Sequence, residues 1–113
     1  MAVERLTSGL VYRYGQNSVP NMTPRPGIDT SATAGRVPGL STADIPRRKP
    51  AQTIDVAKLA VPLAAFRDGA NHVAIVPITD AGEVDQALLD EWAASRTTGA
   101  THALTALLRA AVA

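Results

Sequence analysis

At 113 residues, with 46% hydrophobic and 19% charged side chains, the chain has the size and balance of one globular domain spanning 1–113. It contains no cysteine, which removes disulfide frameworks, zinc-thiolate sites and thiol nucleophiles. The net charge of +1 conceals an asymmetry: residues 1–67 carry nine Lys/Arg against four Asp/Glu, and residues 68–113 carry two against six.

A basic half can attract a dinucleotide, RNA or an acidic partner protein, and it equally fits a solvated face. The start, Met-Ala-Val-Glu-Arg-Leu-Thr-Ser, has no apolar leader, and no run approaches the ~18 apolar residues of a membrane helix. The expected setting is therefore the cytoplasm, or the cytoplasm of a target cell reached by a route without a cleaved signal.

Residues 9–14 (Gly-Leu-Val-Tyr-Arg-Tyr) predict a first strand, rich in β-branched and aromatic types. Alternation sends Arg13 to the face opposite Tyr12 and Tyr14. An arginine on a covered face needs an anion, a carboxylate or backbone carbonyls, and Asp29 or Asp55 could supply a purely structural pairing. Residues 15–50 hold six prolines and four glycines and show no helical or alternating period. Such a stretch is either a functional loop or a linker. Within it, Gly39-Leu40-Ser41-Thr42 marks a corner, where the hydroxyls can cap an element or bond a sugar.

Residues 52–56 predict a second strand. Pro62 makes 59–66 an edge strand or an irregular segment, since proline has no N–H to donate to a neighbouring strand. Asp68-Gly69 reads as a hairpin turn. Residues 72–78 are apolar on both faces and predict a central strand. His72 opens it, either as a structural hydrogen-bonding group or as an acid/base group. A helix follows, capped by Thr79 or Asp80 with Glu83 as capping-box partner, its face built from Val84, Ala87, Leu88, Glu91 and Trp92. Residues 97–99 end it. A second helix from about Thr101 offers Leu104, Leu107, Leu108, Ala111 and Val112, with His102 at its start on the surface. The histidines are distant in sequence and no carboxylates cluster at ligand spacing, so no metal site is expected. Walker loop, dinucleotide glycine fingerprint and nucleophile elbow are all missing from the sequence.

Four segments in order carry a resemblance: Tyr12-Arg13 on the first strand, Pro24-Arg25-Pro26-Gly27-Ile28-Asp29 in the loop, Gly39-Leu40-Ser41-Thr42-Ala43-Asp44, and His72-Val73-Ala74-Ile75-Val76-Pro77. Over residues 9–80 the chain resembles the ADP-ribosyltransferases, and within them a small branch of toxins typified by a type VI secretion effector of Pseudomonas. The resemblance implies an α+β fold: a small split antiparallel sheet with a ligand cleft, followed by C-terminal helices. It implies NAD as substrate and no metal, with Tyr12, Arg13, Ser41 and Thr42 holding the NAD and Arg13, Ser41 and His72 as the catalytic set. It further implies a toxin with an intracellular macromolecular target and a cognate immunity protein or antitoxin, with no membrane partner. Three departures stand out: the chain is shorter than the typical member, it has Thr42-Ala43 where an aromatic follows the serine, and the late acids Asp80, Glu83, Asp85, Asp90 and Glu91 form no Glu-x-Glu pair. Two other functions stay open: a small ribonuclease toxin using His72 with Arg or Lys, and a non-catalytic interaction module binding through residues 15–50. Nucleic acid is the less favoured partner, because few aromatics interleave the basic residues.

Overall fold

Four of the strands begin directly after a glycine or proline, at Leu10, Leu40, Ala51 and Leu63, where the corner residue cannot or need not continue the preceding element. The computed structural model describes residues 3–32, 34–46 and 48–113. Arg47, counted above in the basic half, and Met1 and Ala2 of the opening segment lie outside the described residues. The strands are β1 (Glu4–Leu6), β2 (Leu10–Tyr14), β3 (Leu40–Ala43), β4 (Ala51–Asp55), β5 (Leu63–Arg67) and β6 (His72–Pro77). They form one six-stranded sheet in the order β1-β5-β6-β3-β2-β4, every neighbour antiparallel. Two helices complete an α+β domain, α1 (Gln86–Thr98) and α2 (Ala103–Ala110). Among the described residues no helix is long and apolar enough to cross a membrane.

The sheet is continuous but unevenly knit. β2 shares five registered pairs with β4, and β3 shares four with β6, yet β2 and β3 meet at the single pair Tyr12↔Ala43. That narrow seam is where β2 and β3 present Arg13 and Ser41 to each other. At the start of β3, Gly39 has φ +142° and its missing Cβ would stand 2.5 Å from the Ile75 carbonyl oxygen. Only glycine lets β3 enter this close to β6.

The core explains the register. Val73, Ala74, Ile75 and Val76 are all fully buried, so β6 is covered on both faces as its unbroken apolar run predicts. Leu40, Ile54, Val11 and Met22 join it with Leu89, Trp92, Leu104 and Leu108 of the helices. Trp92 donates its Nε1–H to Thr105 Oγ1 at 2.8 Å, and Thr105 bonds Thr23 Oγ1 at 2.7 Å. Thr23 in turn donates to the Val19 carbonyl, so a buried polar chain ties the loop after β2 to both helices.

Several expectations need correction. Residues 15–50 are not all irregular, since β3 is a central strand inside them. Segment 59–66 is not an edge strand: Pro62 stops just short of β5, which lies between β1 and β6, and β1 has no counterpart in the sequence reading. The first helix starts later than Thr79 or Asp80. Thr79 instead closes a turn with Glu83, and Asp85 caps α1 by accepting from Leu88 N–H at 3.1 Å. Its buried face is Leu89, Trp92 and Ala93, with Ala87 exposed. Gly99 terminates it in the left-handed region, as residues 97–99 predict. His102 is no idle surface group either, for its Nδ1 accepts from Leu104 N–H and its Nε2 pairs with Glu91 at 2.8 Å.

Candidate functional site

The site forms where the seam, the long loop and the end of α1 converge. Arg13 projects from β2 and bonds two backbone carbonyls, Nε to Asn21 at 2.9 Å and Nη1 to Ser41 at 2.9 Å. Neither Asp29 nor Asp55 bonds it, because Asp29 is held by Arg25 and Asp55 accepts from Ala57 N–H at the 3-10 turn Val56–Lys58. Asn21 is fixed in turn by bonds from its amide to the Tyr14 and Gln16 carbonyls. Arg13 is thus a strut between loop and strand whose remaining donors border a cavity of about 770 Å³.

That cavity collects Arg13, Arg25, Arg36, Arg48 and Arg96, and among the described residues no Asp or Glu lines it. Ser41, Thr42 and His72 form another part of its wall. An adjoining cavity of about 350 Å³ shares Arg25, Arg36, Ser41 and His72. Burial lowers the pKa of Arg13 from its ordinary value; Asp29 acts against this, while the like charges of Arg25 and Arg96 add to it. Arg25 is raised by its side-chain bond to Asp29. Guanidinium groups keep their charge through such shifts, so their crowding is relieved by an anion rather than by loss of protons. Arg96 makes the case most plainly. Its Nη1 is buried and has no hydrogen-bond partner among the described residues. A buried, charged donor left unpaired is costly, and what such a group lacks is an acceptor oxygen.

Ser41 and His72 meet because of sheet register. Ser41 pairs with Ala74 and Ala43 with His72, so the two side chains are diagonal neighbours on one face. Ser41 Oγ lies 2.8 Å from His72 Nε2, and His72 Nδ1 lies 2.5 Å from Oδ1 of Asp68. Asp68 is fully buried, and its Oδ2 accepts from Val37 N–H at 2.7 Å.

The structure therefore brings Arg13, Ser41 and His72 together. Thr42 is beside them, but its hydroxyl donates to the Val73 carbonyl at 2.8 Å and its side chain is buried, a role in the sheet. Tyr12 is not brought in: it lines a separate hollow with Pro46, Pro50 and Thr53, while Tyr14 borders the arginine cavity. Sequence reasoning missed Asp68, Arg36, Arg48 and Arg96. Asp68 stood in plain view four residues before His72 across a turn. Arg96 sits in the acidic half, where no charge count would single it out. Among the described residues no three His, Asp or Glu side chains converge as a metal site.

Comparison of the chain with known protein families, curated proteins and solved structures returns no match.

Proposed function

We propose that this domain is a NAD-dependent ADP-ribosyltransferase that acts as a bacterial toxin on an intracellular target. The observation that carries the reading is the arginine cavity: among the described residues, five guanidinium groups, one with a buried unpaired donor, next to a Ser–His pair. A dinucleotide diphosphate meets that charge, and Arg13, Arg25 and Arg96 would hold it. Ser41 and His72 would then face the nicotinamide ribose, where transfer breaks a C–N glycosidic bond and releases neutral nicotinamide. Positioning and electrostatic shielding of the cationic ribosyl centre supply most of what such a step needs. The residues quoted for the resemblance, Arg13, Arg25, Ser41 and His72, border this one region although they are scattered along the chain. An acidic immunity protein would cover the basic half.

Expression in bacteria without a partner should slow growth and deplete cellular NAD, and Ser41→Ala should relieve both while the domain stays folded. Ser41→Ala is the cleaner variant, since Arg13→Ala also removes the two carbonyl bonds that hold loop to strand. Harmless expression with unchanged NAD would overturn the proposal. Degraded RNA with constant NAD would favour the ribonuclease instead.

A further inference from the structure

A transfer that attaches an acceptor hydroxyl to the ribose must dispose of a proton, and a histidine, often oriented by a carboxylate, most commonly takes it. His72 lines both cavities, whereas among the described residues no carboxylate lines the one of about 770 Å³, and Asp29 in the adjoining one is held by Arg25. A carboxylate stands directly behind that histidine. Asp68 ends the β5–β6 hairpin, fully buried, with Oδ2 fixed by Val37 N–H and Oδ1 on His72 Nδ1. Arg36 Nη1 is 4.0 Å from the same Oδ1. An ionised carboxylate only accepts, so in the neutral imidazole Nδ1 carries the proton and Nε2 offers its lone pair to the Ser41 hydroxyl. Of Asp68, His72 and Ser41, the last two line the cavities and Asp68 does not.

We infer that Asp68, His72 and Ser41 form a proton relay that serves as the general base of the transfer, with Asp68 as its positioning residue. This rests on the transferase reading above. The bond from ribose C1′ to the nicotinamide nitrogen breaks, its electron pair leaving with nicotinamide. The acceptor oxygen forms the new bond to C1′. Its proton passes to Ser41 Oγ as the proton of Ser41 passes to His72 Nε2, and the imidazolium is balanced by Asp68. With water as acceptor the products are ADP-ribose, nicotinamide and a proton.

The test is NAD hydrolysis by the whole chain and by two variants. Asp68→Asn presents an amide N–H to Nδ1 and so moves the ring proton to Nε2, where it can no longer accept from Ser41. The rate kcat should fall by at least ~100-fold with KM within ~3-fold of wild type. Asp68→Glu keeps an acceptor and should recover part of the loss. Nitrogen NMR of His72 should find the ring proton on Nδ1 in wild type and on Nε2 in the asparagine variant. If Asp68→Asn does not fold, the wild-type tautomer and Asp68→Glu decide. A wild-type proton on Nε2, or a loss confined to KM, overturns the relay. Equal turnover by wild type and Asp68→Asn overturns the relay and leaves the transferase standing. A wild type that neither binds nor hydrolyses NAD overturns both.

Discussion

Replacing Trp92 by alanine should cost about 3–5 kcal/mol, the largest single loss of stability expected in this chain. The indole is fully buried among Leu89, Leu104 and Leu108. It is also the donor that starts the buried line through Thr105 and Thr23 to the Val19 carbonyl. Alanine leaves a cavity and withdraws the Nε1–H from Thr105 at the same time. A domain of this size has only about 5–15 kcal/mol in total, so much of its margin goes. Circular dichroism melts should show the midpoint falling by roughly 15 °C or more, at about 4–8 °C per kcal/mol. Trp92→Phe keeps most of the volume and should lie between the two. A midpoint within a few degrees of wild type for Trp92→Ala would show that the helices do not depend on this anchor.

Arg96→Met should do the reverse: little to the fold and much to the ligand. In the free protein Arg96 keeps a buried Nη1 unpaired and adds its charge to those around Arg13. A straight apolar chain removes that cost while giving up the favourable position of a cation in the last turn of α1. Stability should therefore stay within ~1 kcal/mol of wild type. NAD affinity should fall by roughly 10- to 100-fold, the loss of one charge-assisted bond to phosphate. Calorimetric melts and NAD titrations of the same preparation read both quantities. A variant that binds NAD as wild type does would remove Arg96 from the site.

Where one physical signal ruled, the sequence was readable. Residues 72–77 are apolar on both faces, and they form the central strand. Gly99 has the freedom to end α1, and it does. The resemblance groups Arg13 with Ser41, and a 2.9 Å bond from Arg13 Nη1 to the Ser41 carbonyl joins them. Where two signals competed, the reading slipped. Glu83 suited a capping box with Asp80, but Asp85 lies closer to the true helix start and caps it. Pro62 barred a central strand only for its own position, and β5 begins one residue later. The far side of the site was hidden for another reason. That Asp68 would stand behind His72, and that α1 would bring Arg96 to the loop arginines, depends on packing between elements distant in sequence.

Isothermal titration of NAD into the wild-type protein, at low and at high salt, is the most direct test of NAD recognition by the arginine cavity. Binding should be saturable, with one site per chain, and should weaken as salt screens that cavity. No saturable heat at either ionic strength would contradict that recognition.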